Sequence, residues 1–254
     1  MTSQAMSKEE EDLTPRADCL DCPHRSDRLR AGRCIPGVSC VRVISGRQIA
    51  NFFKNNPDLA DLYAGDEFWE RRAIAARYLS WKRLMEMLDD PDEVVRRVLA
   101  YRLPVEALTS LIRDPDREVR ITVADRLPVE QLEQLVTDED YLVRQYVAKR
   151  LSIGRLFRMI ADPDREVRKT VAKRLPQESL ALMMHDSAAE IRLVVAERIE
   201  PDALRNLLRD RDWRVRLAAC QRAHHKDLEP LLDDEDEDVR SFVRERYNWL
   251  QEQS

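Results

Sequence analysis

The chain has 254 residues, 43% of them hydrophobic and 36% charged, with a formal net charge of −5. That is enough apolar material for a folded core, which excludes a chain disordered throughout. Only five glycines occur, which argues against hairpin-rich β folds, and the acidic balance excludes a global basic footprint for nucleic acid.

Residues 1–16, MTSQAMSKEEEDLTPR, are expected to form a flexible acidic tail without the apolar stretch of a signal peptide. No apolar run in the chain approaches the roughly 18 residues of a membrane span. A cytoplasmic protein with no membrane partner is the expectation.

Residues 17–65 form the next region, a cysteine-cluster domain and N-terminal cap. Four of the five cysteines fall here as C-x2-C-x11-C-x5-C, at Cys19, Cys22, Cys34 and Cys40. In a reducing compartment such crowding points to metal rather than to disulfides. Four thiolates can fill a tetrahedral zinc site or hold a [4Fe–4S] cluster. One C-x-x-C knuckle instead of two favours iron–sulfur, with zinc as the alternative. His24 is a spare ligand candidate, expected to be solvated in a polar loop. Ala17 to Arg47 carries six arginines against three aspartates. That excess would offset an anionic thiolate cluster and raise its reduction potential, or face an acidic redox partner.

The stretch SGRQIANFFKNNPDLADLYAGD then predicts a helix from about Arg47 to Lys54, a break at Pro57 and a second short helix. Phe52, Phe53, Leu59, Leu62 and Tyr63 are expected to cap the helical stack that follows.

From Asp66 onward the text repeats every 24 residues, in eight units that extend to the end of the chain at 254. Aspartate recurs without exception from Asp66 to Asp234, and arginine six residues later from Arg72 to Arg240. Such a period signals a solenoid, whose units bury their apolar sides only by stacking. The clearest unit is DPDREVRITVADRLPVEQLEQLVT, Asp114 to Thr137. Its Asp-Pro-Asp predicts a helix start, with Asp114 as cap, Pro115 at the first helical position and Asp116 complementing the dipole. Pro128 ends that helix at Leu127. The remaining residues suffice for a short helix only, with 3₁₀ geometry a candidate.

At about 100° per residue, Arg120 falls inside the arc of Val119, Val123, Ala124 and Leu127. A half-buried arginine needs a partner, and the repeated aspartate of its own or the neighbouring unit is the candidate. Bracing between repeats is the favoured reading of this ladder. The other is an arginine-lined groove for phosphate or acidic partners, extended by Arg102, Arg126, Arg150, Arg174, Arg198, Arg222 and Arg246. Cys220 shares a small-residue position with Ala124 and Ala148 and is expected in the core. In the last unit, Arg244 and Tyr247 at otherwise small or apolar positions mark a terminal cap.

A cysteine cluster followed by units of the type DPDxxVRxxVAxRLPxExLxxL resembles the leucine-rich repeat variant family. The resemblance covers the chain from about Cys19 onward. It implies an all-α solenoid, a right-handed superhelix in which α and 3₁₀ helices alternate, preceded by a small cysteine-cluster domain. It also implies a [4Fe–4S] cluster on Cys19, Cys22, Cys34 and Cys40. Unit 186–209, with HDSAAE at its start, and Ser152 and Glu200 in place of the mid-unit proline depart from the pattern. They put local helix ends in question.

For function, the expectation is a non-enzymatic scaffold, a monomer that binds another protein along its solenoid surface and is redox-sensitive through its cluster. Nucleic-acid binding or repair through an arginine-lined groove is the alternative. Catalysis is not expected: four histidines occur, without an HExxH, GxSxG, P-loop or GxGxxG motif.

Overall fold

A computed structural model describes residues 14–252. Most of the expected acidic tail, residues 1–13, lies outside the described residues. The described residues divide between Val123 and Ala124 into two compact units. Each is built from the same repeating pair of helices.

In the first unit, helix Gly46–Asn55 and the 3₁₀ helix Pro57–Tyr63 follow the cysteine segment. Phe52 and Phe53 are fully buried, and Phe53 meets Tyr63 edge-on with centroids 5.4 Å apart. Leu62 departs from the expected cap, being 69% exposed. Three residues per 3₁₀ turn put Ala60 and Tyr63 on one side, leaving Leu59 and Leu62 on the next. Helices Trp69–Ala76 and Glu93–Arg102 then alternate with the short α-turn Trp81–Met85 and the 3₁₀ helix Val105–Leu111.

In the second unit the α-helices are Tyr141–Arg150, Arg165–Arg174, Ala189–Arg198, Trp213–Arg222 and the longer Glu237–Glu252. Between them lie the 3₁₀ helices Gln177–Met183 and Pro201–Arg209. In unit 138–161 the second element opens as a turn of α-helix, Ile153–Leu156, before becoming 3₁₀.

Each repeat helix starts two residues later than the sequence suggests. In Arg117–Arg126 the capping residue is Asp116, whose Oδ1 accepts from the N–H of Glu118 at 2.9 Å and of Val119 at 3.1 Å. Asp114 instead accepts from the N–H of Asp116 at 2.9 Å, closing a turn that presents the cap. Asp92, Asp140, Asp164 and Asp212 cap their helices in the same way. Ala188 cannot, yet Ala189–Arg198 has the same ten residues as its neighbours. Asp186 still accepts from the N–H of Ala188 at 2.9 Å, so the turn survives the lost cap.

The helices end as Pro128 predicts. Pro104 and Pro176 sit at φ −60°, ψ 152° and φ −59°, ψ 150°. Ser152 and Glu200 take nearly the same angles, φ −60°, ψ 147° and φ −58°, ψ 142°. The break is thus set by stacking, and proline only favours it. Val119, Val123, Ala124 and Leu127 are buried, as is Cys220. Burial pushes the Cys220 thiol up to about 12, which keeps it protonated and inert. At the end of the chain Arg244 is exposed and donates to Asp233 at 3.0 Å.

Candidate metal centre

Two local devices bring the cysteines together. Cys19 and Cys22 flank a turn closed by the N–H of Cys22 on the carbonyl of Cys19 at 3.4 Å. Cys34 and Cys40 flank a tight antiparallel bridge between Ile35 and Ser39, with reciprocal N–H to carbonyl bonds of 2.9 and 2.8 Å. Gly37 turns that bridge at φ 83°, and Gly32 at φ 68° turns the chain into it; both angles favour glycine.

The helix behind holds this loop by polar side chains. Asn56 Nδ2 donates to the carbonyl of Arg33 at 3.0 Å, and Asn51 Nδ2 to that of Val38 at 3.0 Å. The N–H of Cys40 donates to the carbonyl of Gln48 at 3.1 Å. Cys34 and Cys40 are buried, while Cys19 and Cys22 are half-buried. One edge of the site therefore reaches solvent.

Cys34 is raised to about 12, by burial first and then by the neighbouring Cys40, Cys22 and Cys19. Thiols this crowded ionise together only against a strong local positive charge, which an iron core supplies. A four-iron core takes one cysteine thiolate on each iron. The four-sulfur donor set fits such a core.

His24 is not solvated. It is 5% exposed, and its Nε2 shares a 2.6 Å hydrogen bond with the Tyr63 hydroxyl. Its ring lies 5.4 Å from that of Phe52. Burial lowers its pKa, against a raising effect of Asp27. Tyr63 in turn is raised to about 12, by burial and then by the thiols and carboxylate around it, Cys22 first. The pair was not legible in the sequence because its members lie 39 residues apart.

A solved structure shares this architecture. A structure of a leucine-rich repeat variant with a novel repetitive structural motif is 56% identical, covering 91% of this chain and 99% of that one, with a TM-score of 0.87. The chain belongs to the leucine-rich repeat variant family. Residues 15–62 match the LRV protein FeS4 cluster family, and residues 117–140 and 165–188 the leucine-rich repeat variant family. The cofactor of this LRV protein is accordingly a [4Fe–4S] cluster. An uncharacterized 27.7 kDa protein in the nifB 3' region of Rhodobacter capsulatus is 39% identical over 87 residues, 34% of this chain and 35% of that protein. The match spans about a third of that relative's length.

The arginine rows of the LRV repeats are occupied by the frame itself. Arg144 clasps Asp162 through Nε and Nη2 at 2.8 and 3.0 Å, and Arg168 clasps Asp186 at the same distances. The partner is the aspartate of the next unit, 18 residues on; the arginine's own unit supplies only backbone, as when Arg144 Nη1 reaches the carbonyl of Asp138 at 2.8 Å. The second row lies along the preceding helix. Arg174 Nη1 donates to the carbonyls of Ala148 at 2.7 Å and Leu151 at 2.8 Å. Arg150 donates to Ala124 and Arg222 to Ala196 in the same manner.

Proposed function

We propose that Cys19, Cys22, Cys34 and Cys40 hold the [4Fe–4S] cluster, and that the protein is a non-enzymatic, redox-sensitive scaffold that binds another protein along its repeats. The boundaries that go with this reading are a tail at 1–16, a cluster domain at 17–65 and eight repeats at 66–254. The cluster supplies one-electron chemistry when bound.

The observation that carries the redox-sensitive part is the 2.6 Å bond between His24 and Tyr63. His24 follows Cys22 closely, and Tyr63 ends the 3₁₀ helix that leads into the first repeat. Arg28 adds a 2.6 Å ion pair to Asp58 of the same helix. A change of charge beside Cys22 is thereby felt by the helix on which the repeats begin. Exposed large side chains such as Trp81 and Tyr101 in the first unit, and Leu182 and Trp213 in the second, offer contact points for a protein partner.

Catalysis has no support in the repeats, whose recurrent aspartates and arginines are spent on one another. Nucleic-acid binding loses its best carriers for the same reason, since the second arginine row donates to carbonyls. No helix among the described residues is long and apolar enough to cross a membrane. A monomer in the cytoplasm completes the proposal. The test is affinity capture with the holoprotein held oxidised or reduced, each against a cluster-free control. A partner retained in one redox state and released in the other supports the scaffold. Capture indifferent to redox state and to the cluster contradicts it.

A further inference from the structure

We infer that the face around the cysteines is a docking site for an acidic one-electron carrier protein. The inference rests on the reading of the four cysteines as cluster ligands. Its carrier is the combination of apolar exposure and unpaired positive charge on the short loops that bear the cysteines.

Leu20, between Cys19 and Cys22, is 65% exposed, and Ile35 and Val38, between Cys34 and Cys40, are 47% and 53% exposed. Three branched apolar side chains thus put much of their surface into solvent beside four metal-binding positions, although a turn of this kind accepts polar residues. The loops spend buried contacts elsewhere, on Val41 and Val43 at 2% and 6% exposure. Exposed apolar groups on the loops that carry a redox centre fit the dry centre of a small, short-lived interface.

The charges say what kind of partner fits. Arg30, Arg33 and Arg42 are exposed, and no carboxylate among the described residues pairs with their side chains. Arg28, by contrast, is occupied by Asp27 and Asp58. Asp18 and Asp21 are exposed on either side of Leu20, but the stretch from Ala17 to Arg47 as a whole carries six arginines against three aspartates, a local reversal of sign in a chain of net charge −5. Such a patch attracts an acidic surface, orients it during encounter and repels a basic one. In productive docking one electron leaves the carrier's centre and enters the cluster; the carrier is oxidised, the cluster reduced, and no bond or proton changes hands.

The test uses the holoprotein and two probes, an acidic plant-type [2Fe–2S] ferredoxin and basic cytochrome c. Docking is read by calorimetry, and the rate of electron transfer from reduced ferredoxin by stopped flow, between low and high salt. Ferredoxin should dock more tightly than cytochrome c, and its affinity should fall about tenfold or more as the Debye length shrinks from about 30 Å to about 8 Å. Arg30→Glu, and separately Arg42→Glu, should weaken docking further and flatten the salt dependence, while Lys173→Glu in the repeats should not. Leu20→Ser should weaken docking at every salt concentration. Reduction by dithionite and the iron content should stay unchanged in all four variants. Absence of ferredoxin docking at low salt, a flat salt profile, or equal losses with Lys173→Glu would overturn the inference. Iron content undiminished by Cys→Ser at positions 19, 22, 34 and 40 would instead overturn the ligand assignment on which it rests.

Discussion

Arg192 holds Asp210 with two parallel hydrogen bonds of 2.7 Å, Nε to Oδ2 and Nη2 to Oδ1, across the boundary between two repeats. Both side chains are nearly buried, 5% and 8% exposed. The same guanidinium donates through Nη1 to the carbonyl of Asp186 at 2.8 Å. One side chain thus closes the start of its own unit and clamps the next.

Removing half of such a pair leaves an uncompensated buried charge. Arg192→Met is predicted to lower unfolding stability by about 3–5 kcal/mol, whereas adding Asp210→Leu should recover much of that loss, because buried pairs replaced whole are often close to neutral. Urea unfolding of the two singles and the double measures it. A double variant as unstable as the sum would contradict the bracing account.

The ladder also sets the response to acid. Burial pushes Asp186, Asp210 and Asp234 up, but arginine and backbone N–H donors outweigh it and hold all three below the ordinary carboxylate value. Arg214 holds Asp212 lower still, at about 2. A carboxylate with a depressed folded pKa stabilises the fold above its unfolded value of about 3.9 and loses that contribution as pH falls through the folded one. The urea midpoint should therefore be level above about pH 5 and fall below about pH 4. Far-UV circular dichroism follows the repeats, and a midpoint that rises on acidification would refute the assignment.

Ser152 already has the backbone of a proline, with φ −60° and ψ 147°, and Leu151 before it has ψ 144°. Ser152→Pro should stabilise by about 0.4–1 kcal/mol, through a less mobile unfolded chain. Thermal melting would show a small upward shift; a downward one would mean that the Ser152 N–H matters to the fold.

Arg174 separates the two readings of the second arginine row. Burial lowers its pKa, and its Nη1 serves the carbonyls of Ala148 and Leu151. Arg174→Met should destabilise by about 1–3 kcal/mol by stripping those acceptors, with no change in retention on a DNA column at low salt. Unchanged stability with lost retention would restore the nucleic-acid groove.

Much of this fold could be read from the 24-residue period alone. The apolar arc of Val119, Val123 and Leu127, the buried position of Cys220 and the break before Pro128 all follow from helical spacing and proline chemistry. The pairing of arginine with aspartate followed from the burial of Arg120, but its direction did not. Spacing along one helix is blind to the stacking that carries an arginine to the next unit's aspartate. Asp114 and Asp116 were exchangeable as caps for a similar reason, since only the arginine from the previous unit commits the first of them. In the metal centre, four cysteines in a short stretch were legible at once. The burial of His24 was not, because it depends on Phe52 and Tyr63 arriving from a later helix.

Iron, sulfide and zinc analysis after anaerobic purification, repeated on single Cys→Ser variants at 19, 22, 34 and 40, tests the central claim most directly. The account predicts a brown protein with about four irons and four sulfides per chain, reduced or lost in every variant. A colourless protein with one zinc, or iron undiminished by any of the four substitutions, would contradict it.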